Sequence, residues 1–219
     1  MLTVQNVNKE YRRGETPFFA VEDANLQVEN SDFVCVTGRS GSGKSTLINL
    51  ISGLLRPDSG SISLDGTALD TMRDDALSHF RNTHIGHIPQ GHSLISYLSV
   101  LDNVRLPYYL YPRKDDVTAR ARDLLDLVGI LHLQNDAPRN LSGGELKRVA
   151  IARSLICEPA LLLADEPTSD LDSVTTAVVM KLFSEIHRRG TAVILVTHEE
   201  NLIAYSNRHL IMENGRIKE

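Results

Sequence analysis

The sequence predicts an α/β fold in which crossover helices join a parallel β-sheet and a helical segment interrupts the alternation. Three observations favour this class. Short apolar runs at residues 32–37, 160–164 and 192–196 have the composition of strands that are buried on both faces. Helical patterns lie between these runs, and strands that alternate with helices are typical of a parallel sheet. The segment 91–155 is mostly helical, so we interpret it as an insertion between two halves of the sheet.

The amino-terminal part of the chain is predicted to be mainly β-structure. Apolar residues near a period of two at 2–7 and 21–28 favour strands between polar turns. The run 32–37 ends directly at a glycine, where we expect a buried strand to pass into a loop.

A helix is predicted to follow that loop. Its apolar residues have the spacing i, i+3, i+4 and i+7: Leu47, Leu50, Ile51 and Leu54. We expect Pro57 and Gly60 to end the helix. Residues 61–64 are predicted to form a strand that closes at the turn Asp65-Gly66.

The second half of the chain is predicted to return from helices to the sheet. The helical segment 91–155 has breaks at Pro107, Pro112 and Pro138. One helix within it has a clear apolar stripe: Val117, Ala121, Leu124, Leu125 and Val128. Another helix lies between the two late strands. We therefore expect a single domain over 1–219, with a core formed by 1–90 and 156–219 and a helical part at 91–155.

The composition excludes several functional classes. The 219 residues include 23 Lys and Arg against 28 Asp and Glu, and this net charge of −5 opposes a main role in nucleic-acid binding. Cys35 and Cys157 lie in apolar runs, so we expect buried, reduced thiols. No apolar stretch approaches the ~18 residues of a membrane span. The start lacks the pattern of a signal peptide, so we expect a cytosolic protein that reaches a membrane only through a partner.

A glycine-rich loop after the first buried strand predicts nucleotide binding. It fits the pattern G-x-x-x-x-G-K-[ST] and is followed by Thr46: Gly38, Arg39, Ser40, Gly41, Ser42, Gly43, Lys44 and Ser45. Glycines allow backbone N–H groups to curl around phosphates, and the helix N-terminus adds positive charge. Lys44 would supply a charge to the β- and γ-phosphates. The Ser45 hydroxyl is suited to Mg²⁺.

Two carboxylates and a histidine follow two of the other buried strands. Asp165 and Glu166 come at the end of the run 160–164, and His198 follows the run 192–196. Ligands of open α/β sheets bind at the carboxyl ends of the strands. Asp165 is therefore predicted to hold Mg²⁺ through water, and Glu166 to act as the base that orients or deprotonates a water. His198 is predicted to reach the γ-phosphate, against the alternative of an ordinary surface histidine.

A second candidate anion site precedes a helix in the helical segment. It consists of Ser142, Gly143, Gly144 and Glu145. A helix N-terminus of this composition can bind a phosphate. Taken alone, the same residues are equally consistent with an ordinary N-cap, so both interpretations stay open.

Together these segments resemble the nucleotide-binding subunit of ABC transporters, over nearly the whole chain and in the order of that family. Residues 38–46 look like its Walker A motif and 161–166 like its Walker B motif. Residues 141–145 resemble its signature sequence, the most specific of these motifs. Gln90 resembles its Q-loop residue. Three further matches complete the likeness: Asp172 in the D-loop, His198 as the switch histidine and Tyr11 as the aromatic residue that stacks on adenine.

The resemblance implies a P-loop NTPase with a RecA-like sheet, an antiparallel β subdomain at the N-terminus and the inserted helical subdomain. It implies ATP hydrolysis with Mg²⁺ at the interface of a head-to-tail homodimer, each ATP lying between the Walker A motif of one copy and residues 142–145 of the other. Gln90 would sense Mg²⁺ and the attacking water. The helical subdomain would meet an integral membrane permease, on the cytoplasmic face of the inner membrane.

Within the family the chain is most similar to the subgroup of lipoprotein-releasing, macrolide-exporter and antimicrobial-peptide-exporter ATPases, through its compact length and residues 141–153. It departs from that subgroup at Ser169 and Asp170, where Gly-Asn or Gly-Ala is usual. Tyr97, Tyr108, Tyr109 and Tyr111 cluster after Gln90. Aromatic residues are enriched at interfaces, so this cluster is a candidate partner contact, against the alternative of packing inside the helical subdomain. We expect Pro107 and Pro112 to bracket a surface turn, which predicts that Tyr108 and Tyr109 face outwards.

Two other functions compete with a transport ATPase. One is a soluble ABC ATPase of DNA repair or translation. Repair types insert a long coiled coil before the signature, and translation types carry two ATPase domains, whereas this chain has neither. The other is a non-catalytic subunit that binds ATP without hydrolysis, which the presence of Lys44, Glu166 and His198 opposes.

Overall fold

The computed structural model describes residues 1–91, 93–113 and 115–218, with Arg13 described by its backbone alone. Its ten strands form two sheets. The strands are β1 (Leu2–Arg13), β2 (Thr16–Val28), β3 (Phe33–Thr37), β4 (Ser59–Leu64), β5 (Thr67–Ala68), β6 (Ile85–Ile88), β7 (Leu161–Asp165), β8 (Ala192–Thr197), β9 (Arg208–Glu213) and β10 (Arg216–Lys218).

Within the described residues, six α-helices and three short 3₁₀ helices connect these strands. The α-helices are α1 (Lys44–Ile51), α2 (Asp74–His84), α3 (Val100–Tyr109), α4 (Thr118–Leu127), α5 (Gly143–Leu155) and α6 (Ser173–Arg188). The 3₁₀ helices are Leu131–Leu133, Pro138–Asn140 and Glu200–Tyr205.

The larger sheet has the order β10-β9-β3-β8-β7-β6, and all its pairs are parallel except β10 with β9. The smaller sheet is antiparallel, with the order β2-β1-β4-β5. The N-terminal β-structure and the parallel sheet predicted from the sequence are both present.

The central strands are buried on both faces because each face of the larger sheet supports its own core. In β3, Val34 and Val36 pack with α1 and the smaller sheet, whereas Phe33 and Cys35 pack on the opposite side with residues of α3 to α6. This explains why the central strands are continuous apolar runs and do not alternate with polar residues. Cys35 is buried as expected, and burial raises the pKa of its thiol to about 12, whereas Cys157 is only partly buried.

Two helix boundaries differ from the sequence prediction. Helix α1 ends at Ile51, and Leu54 lies beyond it with 49% of its surface exposed. Gly53, with φ +69°, turns the chain before the apolar pattern is complete. Pro107 does not break the helical segment but lies inside α3, two residues before its end. There the carbonyl of Pro107 accepts a hydrogen bond from Asn82 Nδ2 at 2.9 Å.

Across the described residues, none of the helices combines the length and hydropathy that crossing a bilayer requires.

Candidate nucleotide site

The glycine-rich loop lies where the sequence predicts it, between the end of β3 and the start of α1. Gly43 occupies the N-cap position with φ +109°, and a Cβ there would collide with the carbonyl oxygen of Ala20. The ammonium group of Lys44 folds over the loop and donates to the carbonyl oxygens of Gly38 at 2.7 Å and Arg39 at 3.1 Å. No side chain caps α1. The first N–H groups of the helix therefore face the loop and donate to no capping side chain.

Asp165 is the last residue of β7, and its carboxylate lies beside the first turn of α1. Burial, the largest effect, raises the pKa of Asp165, and the neighbouring Ser45 side chain opposes that rise. Its Oδ1 is buried and has no hydrogen-bond partner among the described residues. A buried carboxylate oxygen without a donor is a suitable ligand for a hard cation or its water shell.

Glu166 joins the end of β7 to the end of β8. Its Oε1 lies 2.9 Å from Nδ1 of His198, and Thr197 donates its hydroxyl to Oε2 at 3.3 Å. The residue has φ +49°, a left-handed conformation that is costly for a non-glycine residue. Carboxylate and imidazole are therefore held as a pair at the carboxyl edge of the sheet, where a base and its orienting partner are required.

One cleft of about 610 Å³ contains most of the predicted nucleotide-binding residues. The predicted residues along its lining are Tyr11, Ser40, Gly41, Gly43, Lys44, Ser45, Thr46, Gln90, Glu166 and His198. Gly38 and Ser42 line an adjoining cleft of about 900 Å³, which shares Ser40, Gly41 and His198 with the first. The structure thus brings together residues that are up to 187 positions apart in the chain, from Tyr11 to His198.

Phe18 also lines this cleft, although the sequence does not predict it there. Phe18 lies opposite Tyr11 across the β1–β2 pair, with ring centroids 6.2 Å apart, and both rings are partly exposed. Phe18 lies outside the strands predicted at 2–7 and 21–28, so only the register of the hairpin, which pairs it with Tyr11, could have indicated it.

The second candidate anion site lies at the start of α5 and does not line either cleft within the described chain. Ser142 and Glu145 form a capping box there: the Glu145 carboxylate accepts hydrogen bonds from the N–H and the hydroxyl of Ser142, both at 2.7 Å. The hydrogen bond from the Ser142 side chain is the main cause that lowers the pKa of Glu145. A Cβ on Gly144 would lie 2.5 Å from Thr175 of α6, so glycine allows the two helices to approach.

Asp172 also lies apart from the cleft. It is the N-cap of α6, and its carboxylate accepts hydrogen bonds from the N–H groups of Val174 and Thr175, each at 2.9 Å. Within residues 1–91, 93–113 and 115–218 there is no group of three or more His, Cys, Asp or Glu side chains arranged for a metal ion.

The tyrosine cluster differs in part from its prediction. Tyr109 is 42% exposed, but Tyr108 packs partly against the helical core and under the guanidinium of Arg113, 4.5 Å from the ring centroid. Because Pro107 continues α3, the expected surface turn does not form at this point. Tyr97 is the most exposed aromatic residue described, at 97%.

A comparison with protein families matches residues 21–169 to the ABC transporter family. The chain belongs to this family. The match covers the glycine-rich loop, Gln90, the start of α5 and the carboxylate pair, which confirms the resemblance seen in the sequence.

Individual relatives of this ABC protein match it over almost its whole length. The lipoprotein-releasing system ATP-binding protein LolD of Geobacter metallireducens is 40% identical over 219 residues, 99% of this chain and 97% of its own. The macrolide export ATP-binding/permease protein MacB of Chlorobium phaeobacteroides is 38% identical over 217 residues, 99% of this chain. The chain spans 33% of that MacB protein, about a third of its length.

Solved ABC cassettes have the same fold. The dimeric structure of MJ0796, described as a bacterial ABC transporter cassette, superposes with a TM-score of 0.93 at 35% identity and covers 100% of this chain and 97% of its own. A dimer of the same cassette in a post-hydrolysis state with ADP and Pi superposes at 0.90, with 33% identity and the same two coverages. The predicted fold class, a P-loop NTPase of the α/β type, is confirmed.

Proposed function

We propose that this ABC protein binds and hydrolyses ATP and uses the energy to drive a separate membrane permease. The observation that carries the proposal is the Glu166–His198 contact of 2.9 Å in a cleft that also contains Lys44, Ser45 and Gln90. A base, its orienting partner and a phosphate-binding loop in one cleft are the parts that hydrolysis of a nucleoside triphosphate requires.

Each part of the cleft has a chemical task in this proposal. The N–H groups of the loop and of the first turn of α1 bind the phosphates, and Lys44 exchanges its two carbonyl contacts for phosphate oxygens. Tyr11 and Phe18 stack on the adenine at the hairpin end. Glu166 orients or deprotonates the attacking water, and His198 holds the carboxylate in place while its other ring nitrogen is available to the γ-phosphate.

The proposal includes a Mg²⁺ ion beside the phosphates. Ser45 and Asp165 would hold it, Asp165 through water, and Gln90 would contact it and the attacking water. The unpartnered Oδ1 of Asp165 supports this. The ion, when bound, neutralises charge on the β- and γ-phosphates. A site shared with phosphates and waters needs few protein ligands, which agrees with the lack of a larger ligand cluster among the described side chains.

A second copy of the chain completes the site in this proposal. Ser142, Gly143, Gly144 and Glu145 lie outside the cleft, so they can contact an ATP only from another subunit. We propose a head-to-tail homodimer in which these residues and Asp172 meet the nucleotide held by the partner's loop. The dimeric state of the similar cassette MJ0796 supports this arrangement.

The membrane partner is inferred from the relatives. LolD is named as part of a lipoprotein-releasing system and MacB as an ATP-binding/permease protein. We propose that residues 91–155 form the helical subdomain that meets the permease, that 1–90 and 156–219 form the catalytic core, and that the complex sits on the cytoplasmic face of the inner membrane. Exposed Tyr97 and Tyr109 belong to the proposed contact. No feature of the described surface favours nucleic acid as a partner, given the net charge of −5.

The Glu166→Gln variant tests the proposal. It keeps the shape of the side chain but cannot accept a proton, so we expect hydrolysis to fall by about a hundredfold or more while ATP binding persists. In the presence of ATP the variant should then accumulate as a dimer, which size-exclusion chromatography with light scattering measures. The matched control is Glu185→Gln on α6, which should behave like wild type. Hydrolysis at the wild-type rate in Glu166→Gln would show that another group is the base.

A further inference from the structure

A lysine is buried beside the candidate catalytic carboxylates and has no part in the site described above. Lys147 lies on α5, five residues after Ser142, and is only 3% exposed. Lysine is rarely buried to this extent, because the ammonium group loses its hydration. A buried lysine therefore needs a specific reason in the structure around it.

The contact that Lys147 makes is with the main chain of Glu166. Its Nζ lies 3.5 Å from the carbonyl oxygen of Glu166. Burial lowers the pKa of Lys147, and the carboxylates of Asp170, Asp165 and Glu166 oppose that shift through their charge. The ammonium group forms no ion pair with any described carboxylate. The three carboxylates therefore attract it only through their combined electrostatic field, and its hydrogen bond goes to a backbone carbonyl.

That carbonyl group is where the strained backbone of Glu166 is held. The residue has φ +49°, and its carbonyl oxygen also accepts hydrogen bonds from the N–H of Ser169 at 3.3 Å and the Ser169 hydroxyl at 3.0 Å. A left-handed non-glycine residue persists only where its surroundings hold it. At the other end of the residue, His198 and Thr197 hold the carboxylate. A rotation about the φ angle of Glu166 moves its carbonyl group and its side chain together. Such a rotation would thus move the carboxylate away from His198.

We propose that Lys147 is a positioning residue for Glu166. Its ammonium group holds the carbonyl of Glu166 and thereby fixes the backbone conformation that directs the carboxylate to His198 and the cleft. The same side chain ties the start of α5, with Ser142 and Glu145, to the carboxylate that acts on water. The inference rests on the proposed ATP hydrolysis, and it assigns Lys147 no contact with ATP.

The test is Lys147→Met, which replaces the ammonium by an apolar side chain of similar length. We expect kcat for ATP hydrolysis to fall about tenfold or more, since a small misplacement of a catalytic group has effects of this size. KM and nucleotide affinity should stay within about twofold, because Lys147 does not line the cleft. The melting temperature should stay within a few degrees of wild type, since the desolvation cost that is removed with the buried ammonium offsets the loss of its hydrogen bond and of its attraction to the nearby carboxylates. A lower melting temperature together with a higher KM would indicate a merely structural role and overturn the proposal.

A double-mutant cycle with Glu166→Gln identifies the residue through which Lys147 acts. Single-turnover hydrolysis of radiolabelled ATP by Lys147→Met/Glu166→Gln should equal that of Glu166→Gln alone, and ATP-dependent dimerisation should be retained. Multiplied effects, or loss of the dimer, would show that Lys147 acts elsewhere. Lys181→Met, at an exposed position of α6, is the matched control.

The experiments distinguish an error in the role of Lys147 from an error in the proposed function. If wild type hydrolyses ATP and Glu166→Gln does not, but Lys147→Met is normal, only the role of Lys147 is wrong. If wild type hydrolyses no ATP, or Glu166→Gln hydrolyses it normally, the proposed function itself is wrong.

Discussion

Two helix N-termini in this molecule face phosphate in the proposed mechanism, and they are built differently. Helix α1 starts at Lys44 after a left-handed glycine, with no side-chain cap and no acidic residue in its first turn. Helix α5 starts after Ser142 with a complete capping box, and Glu145 places a carboxylate in its first turn. An acidic residue at this position offsets the positive end of the helix dipole.

The difference indicates a division of work between the two termini. The start of α1 combines unengaged N–H groups with the Lys44 ammonium, so it can hold a triphosphate by itself. The start of α5 uses two of its donors, the N–H groups of Ser142 and Glu145, within its own capping box, and its carboxylate repels an anion. In the proposed mechanism it therefore contributes only when the geometry of a closed dimer is correct, which suits a sensor of bound ATP better than a binding site.

The largest effect that this comparison predicts is the loss of binding in Lys44→Met. Loss of a charge-assisted hydrogen bond should weaken ATP binding on the order of a hundredfold. Ser142→Arg should instead leave ATP binding to the monomer nearly unchanged and abolish hydrolysis, since the fault lies on the other side of the interface. Isothermal titration calorimetry distinguishes the two. Equal losses of monomer binding in both variants would mean that the two termini share one task.

Mixing the two variants gives the next largest effect. Each is inactive alone, but a heterodimer pairs the intact loop of one copy with the intact residues 142–145 of the other. With random exchange we expect about one quarter of the wild-type rate, because half of the dimers are mixed and each has one intact site. A discontinuous assay of phosphate release measures the hydrolysis rate of the mixture. A mixture as inactive as its components would contradict the head-to-tail arrangement.

The sequence predicted the first terminus better than the second, for a physical reason. The loop at 38–45 is local, so its glycines, lysine and serine identify the site without knowledge of the fold. Glu166 and His198 were predicted because buried parallel strands bring their carboxyl ends to one edge. For Ser142 the sequence is consistent with both an N-cap and an anion site. The structure shows the capping box, and the contact with ATP stays a prediction.

What the sequence did not predict depends on contacts between distant elements. The contact of Lys147 with Glu166 requires the position of α5 against the end of β7, and no spacing encodes it. Phe18 depended on the hairpin register in the same way. Helix α1 ended early because Gly53 turns the chain, although the apolar period continued to Leu54. Contacts between distant elements therefore decide the first two cases, and a local glycine turn decides the third.

The smallest predicted effect has the opposite sign and tests the comparison most directly. Glu145→Gln keeps an acceptor for the N–H and hydroxyl of Ser142 but removes the negative charge from the start of α5. If that charge opposes the γ-phosphate across the interface, ATP-dependent dimerisation should become about threefold tighter at low salt. The gain should shrink as ionic strength rises, because exposed charges are screened. Analytical ultracentrifugation of the Glu166→Gln background with and without Glu145→Gln measures it, with Glu185→Gln as the control for loss of one negative charge. Weaker dimerisation in Glu145→Gln would mean that the carboxylate itself contributes to binding the partner's nucleotide, and the start of α5 would then resemble the start of α1 more than its capping box suggests.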